Sequence, residues 1–462
     1  LTLPTALLRS LQNVTGFDKP AFTAVHDSGE QVTSIRFNPA KTVISDMGTH
    51  APHPAPHDKV PWSSNGCYLA ARPSFTFDPL FHAGVYYVQE ASSMFVEQVL
   101  EQTANLSQPL RVLDLCAAPG GKSTLLQSLI NKESLLVCNE VIKPRAAVLE
   151  ENMVKWGAAN VVVTNNDPAH FARLENYFDV IVIDAPCSGS GLFRRDPEAI
   201  TEWSESNVAL CSQRQQRIIA DVWPALRQNG LLIYSTCSYS AEEDEMIMDW
   251  VHEAFQAEGI RVKTAKEWNI VETFSAKQQM PGYRFYPDKV KGEGLFIAAA
   301  RKKEGALFAG ARPGKNKIEQ LGKTEELLVR PWINEEEDIF LFKQKDAIMA
   351  FPAGIANELA VLQSALYLKR AGITTGKLAG QDLIPDHALA VSTIVNKSIP
   401  YFALNRQEAI QYLRRDEIKI NTMYKGWMLV KYEGYNLGWI KALINRFNNY
   451  YPKEWRIMKQ PV

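Results

Sequence analysis

A chain of 462 residues with 46% hydrophobic content can bury a sizeable core, with room for about three domains of roughly 150 residues each. No apolar run approaches the roughly 20 residues needed to span a bilayer, and six cysteines in so long a chain match neither a disulfide framework nor a zinc spacing. The net charge of −1 hides an asymmetry: residues 1–300 carry 25 Lys+Arg against 34 Asp+Glu, whereas residues 301–462 carry 25 against 17, so the basic C-terminal third points to an anionic partner.

In chain order, residues 1–85 read as a small α+β domain. Its start, LTLPTALLRSLQNV, lacks the charged head and long apolar centre of a signal peptide, so a cytoplasmic protein with reduced thiols is expected. Thr33–Asn38 is a short strand candidate, and Met47–Lys59 (MGTHAPHPAPHDK) reads as an irregular loop. His50, His53 and His57 lie on that proline-rich loop rather than on a helix face, and no Cys or carboxylate completes a set; no metal is expected. From Tyr86 to Ala300, strands and helices alternate. Arg111–Cys116 is a strand followed by a helix from Gly121, and Leu135–Glu140 a strand followed by a helix over Lys143–Trp156. Strands at Asn160–Thr164 and Phe178–Asp184 come next, then a long helix, Ser206–Arg227, and a strand over Gly230–Cys237. Ser240-Ala241-Glu242-Glu243 fits a capping box and predicts a helix to about Ala257, with a last strand over Gly294–Ala300. This rhythm predicts a doubly wound, Rossmann-like parallel sheet over residues 86–300. Residues 301–323, rich in Lys, Arg, Gly and Pro, read as a basic linker able to contact phosphates. A first C-terminal module of mixed character occupies 324–385. A β-rich domain over 386–462 includes the strand candidate Gly426–Tyr432 and interleaved aromatic and basic residues at Tyr450–Arg456.

Two strand ends carry the chemistry. Val180–Ile183 is an apolar β-branched run that stops abruptly at Asp184-Ala185-Pro186-Cys187, and Gly230–Thr236 ends on Cys237. Side by side in a parallel sheet, Asp184, Cys187 and Cys237 would face one crevice beyond the carboxyl ends of the strands, where ligands bind in open α/β sheets. Either thiol could serve as a nucleophile, and the residues alone do not say which. Cys116 is expected only to pack, as are Cys138 and Cys211. Arg194 and Arg195, just past the Gly189–Gly191 turn, are candidates for holding phosphates.

The turn Cys116-Ala117-Ala118-Pro119-Gly120-Gly121-Lys122 lets a ligand approach the backbone at a helix N-terminus. It matches neither the dinucleotide fingerprint nor a P-loop, since Cys116 stands where the first P-loop glycine would be. Glu140 ends the next strand and suits ribose hydroxyls, and Asp167, after the third, could reach an adenine amino group. S-adenosylmethionine fits this set; another small nucleotide fits it too.

Asp114–Lys122 (DLCAAPGGK), Asp184–Gly189 (DAPCSG) and Ser235–Ser238 (STCS), in this order, resemble the RNA cytosine-C5 methyltransferases of the Nop/Sun family over residues 86–300. The flanks Tyr86–Met94 (YYVQEASSM), Gly292-Glu293-Gly294, Gly434–Trp439 and Tyr451-Pro452-Lys453 are similar to the bacterial 16S rRNA methyltransferases of the RsmF type. The resemblance implies an N-terminal RNA-binding domain over 1–85, a C-terminal PUA-like RNA-binding domain over 386–462, and S-adenosylmethionine held by Cys116 to Lys122, Glu140, Asp167 and Asp184. It assigns attack on cytosine C6 to Cys237 and release of the adduct to Cys187, with Asp184 beside N3 and the 4-amino group. A helix opening near Ser240 is a candidate for favouring the Cys237 thiolate. The partner implied is 16S rRNA or the small ribosomal subunit, with no membrane, and a monomer is expected. The acidic run Glu242–Glu245 departs from the Glu-Asn-Glu the family often has, with little consequence expected. A tRNA cytosine-C5 methyltransferase and an idle ribosome-assembly factor are the alternatives; intact Cys187, Cys237 and Asp184 argue against the second.

Overall fold

The computed structural model describes residues 2–42, 56–305, 308, 318–418, 423–443 and 446–460 (of 56 and 57, the backbone only). His50 and His53 lie outside them.

An N-terminal sheet of four strands, β1 (Thr33–Phe37), β2 (Pro56–Lys59), β3 (Gly66–Leu69) and β4 (Tyr86–Tyr87), has the order β2-β3-β1-β4. The central sheet follows. Its parallel strands are β5 (Arg111–Asp114), β6 (Leu135–Asn139), β7 (Val161–Thr164), β8 (Phe178–Asp184) and β9 (Leu226–Thr236). The short β10 (Glu258–Gly259) and the strands β11 (Val271–Phe274), β12 (Pro281–Phe285) and β13 (Leu295–Arg301) extend it in antiparallel fashion. The apolar runs alternate between two cores. Leu113, Ile181, Ile183 and Leu232 enter one, and Val112, Val180, Val182, Leu231 and Ile233 enter the other. Burial on both faces is why these strands are continuously hydrophobic.

The expected helix over Lys143–Trp156 is present with those bounds. Gly157 ends it in the left-handed region (φ 86°), where a Cβ would meet the Val391 carbonyl oxygen at 2.7 Å. The expected Ser206–Arg227 helix is shorter, Glu205–Val222, because Pro224 lies in the 3-10 turn Trp223–Ala225 that follows. The expected capping box at Ser240 and Glu243 does not form: the helix there is Glu245–Phe255, with Asp244 at its N-cap.

The C-terminal third is not strung on behind the central sheet. Strands β14 (Glu319–Gln320), β15 (Ile339–Gln344), β16 (Ala347–Pro352), β18 (Ile373–Ala379) and β19 (Asp382–Pro385) form a separate sheet. Between them, β17 (Leu368–Ala371) adds to the edge of the central sheet, pairing Leu368 with Thr164 and Ala371 with Val162. Phe342, Phe351, Leu359 and Leu362 join the same core as Leu113 and Ile181, and Glu358 binds Arg111 at 2.7 Å and the Tyr177 hydroxyl at 2.5 Å. Within the span expected as a linker, Arg301 ends β13 and Glu319–Gln320 form β14. Lys302 in that span faces inward, donating to the Trp223 and Leu226 carbonyls at 3.1 and 2.6 Å rather than standing ready for phosphate. The last sheet, β20 (Tyr401–Leu404), β21 (Gly426–Tyr432), β22 (Tyr435–Ala442) and β23 (Phe447–Asn449), carries the expected strand at Gly426–Tyr432. In the aromatic–basic stretch, Tyr451 is buried and bonds His82 at 3.3 Å, while Lys453 and Arg456 are exposed.

Candidate active site

The order β7-β6-β5-β8-β9 reverses direction between β5 and β8. That switch point opens a crevice beyond the strand ends, and the sequence fills its rim with short polar residues. On one side, β5 ends in Asp114 and runs through the small-residue turn into the Gly121–Leu129 helix. No side chain caps this helix, so its first N–H groups are left for a ligand. The turn is pinned from behind. Arg145 donates to the Ala118 carbonyl at 2.9 Å and Asn152 to the Pro119 carbonyl at 2.8 Å. The fully buried Arg36 of the N-terminal sheet reaches Thr124 at 2.6 Å and Gln89 at 2.7 Å and stacks on Trp156.

Three acids stand on this side of the switch point. Asp114 accepts from Ser123 at 2.6 Å through one oxygen, and the other has no hydrogen-bond partner among the described residues. Burial, opposed by the Ser123 bond and reinforced by the charge of Asp184, pushes its carboxyl up to about 7. Glu140, buried at the end of β6, accepts from the Ile142 N–H at 2.9 Å and lies 3.5 Å from Arg145. Asp167 stands exposed after β7, accepting from the Ala169 N–H at 3.0 Å. A buried acid with a free oxygen, a second acid one strand over and an uncapped helix suit a cationic, hydroxyl-rich nucleoside. Cys116 packs against the core as expected, its thiol pushed up by burial.

Across the crevice, β8 and β9 pair in parallel with Asp184 opposite Ser235. That register carries Cys187 and Cys237 off adjacent strands together, and their Sγ atoms lie 3.0 Å apart. The hydrogen bond to Cys237 and then burial push the Cys187 thiol well up, with the charges of Cys237 and Glu243 adding to the shift. Asp184 accepts from the Ser235 hydroxyl at 2.7 Å and forms an ion pair with Lys122 at 2.8 Å. Burial works to lower the Lys122 pKa, but the Asp184 charge and bond, followed by the charges of Asp114 and Cys237, hold it above the ordinary value. The sequence reading placed both Lys122 and Asp184 at the pocket; the structure joins them. Gly191 is obligatory on the same rim, since a Cβ there would meet the Gly294 and Cys237 carbonyl oxygens at 2.6 and 2.9 Å.

Two expectations fail here. Arg194 does not face outward for phosphate: it is buried, donating to the Gly292 carbonyl at 3.2 Å and to the Glu30 carbonyl, and lies 3.8 Å from Glu293. Arg195 remains exposed. The helix expected to open at Ser240 begins at Glu245 instead. The acidic run after Cys237 is built into the rim. Glu243 reaches back to the residues following both cysteines, and Asp244 and Glu245 hold Arg284 at 3.0 and 2.5 Å. Acids buried in consecutive positions were the one sign in the sequence that could have exposed this.

Three family models match the chain: the N-terminal domain of 16S rRNA methyltransferase RsmF over residues 3–91, 16S rRNA methyltransferase RsmB/F over 101–301, and the methyltransferase RsmF PUA domain over 400–457. Among curated relatives, the ribosomal RNA small subunit methyltransferase F of Escherichia coli (strain E2348/69) is 28% identical over 447 residues, 91% of this chain and 89% of that one. Its Shigella sonnei counterpart is 28% identical over 448 residues, with the same coverage. Among solved structures, a methyltransferase homologue from Pyrococcus horikoshii superposes with a TM-score of 0.52 at 26% identity, covering 65% of this chain and all of that one. NSun6 from the same organism, with SFG, gives 0.54 at 19% identity, covering 65% of this chain and 98% of the other.

Proposed function

The chain belongs to the 16S rRNA methyltransferase RsmB/F family, in its RsmF branch, and on that premise we propose that it methylates cytosine C5 in 16S rRNA through a covalent bond between Cys237 and C6. The observation that carries this reading is the pair of thiols 3.0 Å apart beside the Lys122–Asp184 ion pair at the rim of the cofactor crevice.

C5 of cytosine is a poor nucleophile, and adding a thiolate to C6 makes it a good one, dividing one hard step into two easier ones. The resemblance to the Nop/Sun enzymes assigns the attack to Cys237, and the bond to Cys237, burial and the charge of Glu243 push the Cys187 thiol up. Asp184, oriented by Ser235 and Lys122, would stabilise the negative charge developing at N3 by donating or sharing a proton there, and that proton would return as the adduct collapses. Cys187 then serves in release, as the base for the C5 proton or by placing a water that acts as one. The turn Cys116 to Lys122, with Asp114, Glu140 and Asp167, would hold S-adenosylmethionine, which when bound supplies the electrophilic methyl group. The target base lies in folded RNA and would be flipped out of its stack to reach the thiols, with the exposed Arg195, Lys453 and Arg456 available to phosphates.

Incubation with small-subunit RNA and labelled cofactor, followed by bisulfite mapping, tests the reading. Label in that RNA at a cytosine newly resistant to bisulfite is expected. Label only in tRNA, or at another base, would overturn it. Glu140→Ala is expected to weaken cofactor binding by about 1.5–3 kcal/mol, the scale of a lost charged hydrogen-bond acceptor. Calorimetry showing unchanged affinity would take Glu140 out of the site.

A further inference from the structure

Glu243 is fully buried, and its carboxylate is surrounded by donors. One oxygen accepts from the Ser188 N–H at 2.8 Å and from the Gln215 amide at 3.2 Å. The other accepts from the hydroxyls of Ser188 at 2.5 Å and Ser238 at 2.6 Å. Ser188 follows Cys187 in the chain, and Ser238 follows Cys237. Gln215, also fully buried, donates to the carbonyl of Pro186 at 3.1 Å, on the other side of Cys187. The backbone of Glu243 is held as well, since its carbonyl accepts from the Tyr234 hydroxyl at 2.7 Å.

We propose that Glu243 is a positioning residue that sets the distance between the two cysteines by tying the loops after both of them to one carboxylate; this deepens the catalytic reading above and rests on it. A buried carboxylate is costly unless its lone pairs are filled, and four donors fill these. Three of them come from the two loops that leave different strands and the fourth, Gln215, from the helix Glu205–Val222, so the cost is recovered only when both loops are in place. Consecutive Cα atoms are about 3.8 Å apart, so fixing Ser188 and Ser238 leaves each cysteine little freedom of its own. A displacement of about 1 Å at a reacting group can slow a reaction about 10²-fold.

The test reads the thiols without RNA or methyl transfer. Diamide accepts two electrons and two protons from a thiol pair, forming the S–S bond and its own hydrazine. Mass mapping then follows formation of the Cys187–Cys237 disulfide in the full-length protein. Rapid coupling is expected in the parent protein. In Glu243→Ala, coupling should slow at least about 10-fold and turnover on RNA should fall about 10–100-fold, with cofactor affinity within about 2-fold. Ser238→Ala removes a single tie and should give a smaller loss of the same kind. It keeps the test alive if Glu243→Ala does not fold. Coupling at the parental rate in either soluble variant would overturn the proposal, as would lost turnover with coupling unchanged. A protein that proved to methylate another base would fail only the turnover assay and would leave the coupling result standing.

Discussion

Cys237→Ala is expected to abolish methylation, by on the order of 10⁴-fold or more, and to leave no protein–RNA adduct. Cys187→Ala should behave differently. Attack and methyl transfer remain possible, but release stalls, so an adduct resistant to denaturant accumulates on RNA. The roles follow the family resemblance, which assigns attack to Cys237 and release to Cys187. The two thiols touch at 3.0 Å, so one can carry charge only while the other keeps its proton. Cys187 is the one pushed up, by its bond to Cys237, by burial, and by the charges of Cys237 and Glu243. The double variant should match Cys237→Ala, because release cannot matter without attack, and such non-additivity marks groups that act in sequence. Denaturing gels of each variant with RNA and cofactor separate the outcomes. An adduct that persists in Cys237→Ala and vanishes in Cys187→Ala would reverse the two roles.

The parts of the site legible in the sequence are those set by contiguous residues. The β-branched run into Asp184 could only be a strand buried on both faces, and its abrupt end put Cys187 at a strand mouth. The run into Cys237 read the same way, and the small-residue turn before Lys122 announced a ligand. What escaped notice depends on partners far apart in the chain. Nothing local to Leu368–Ala371 says that it completes the sheet beside Val162–Thr164. Arg194 looks like a phosphate ligand until the Gly292 and Glu30 carbonyls surround it. Ser240 and Glu243 have the spacing of a capping box, but Glu243 finds four donors around the two thiols and leaves the helix to start at Glu245. In that case the competition between a local cap and a tertiary network was decided by the number of donors each could offer the carboxylate.

Arg284→Met should destabilise the fold by about 3–5 kcal/mol near neutral pH, with a deficit that narrows as the pH falls. Arg284 is buried, with 1% of its surface exposed. It binds Glu245 in a fork at 2.6 and 2.5 Å, lies 3.0 Å from Asp244, and donates to the Tyr239 carbonyl at 2.9 Å. Methionine keeps most of the volume over Phe296 but strands two acids without a cation. The pH dependence follows from what each acid does now. Burial alone would raise Glu245, yet Arg284 holds it below the ordinary range, so in the parent protein it stabilises above the unfolded value of about 4.3 and that contribution is lost as the pH falls through its folded pKa. Asp244 is already well up through burial, even with Arg284 beside it. In the variant both acids hold protons more tightly folded than unfolded, so stability is lowest at neutral pH and recovers as each carboxyl is protonated. Urea denaturation followed by circular dichroism from pH 8 to pH 5 should show the two proteins converging by on the order of 1–2 kcal/mol. A deficit constant across that range would mean that Arg284 stabilises through its bond to Tyr239 and its packing, not through charge. The consequence reaches the thiols as well. Asp244 accepts from the Thr236 hydroxyl at 2.6 Å, and Tyr239 lies two residues beyond Cys237, so Arg284 braces the chain on both sides of the proposed nucleophile.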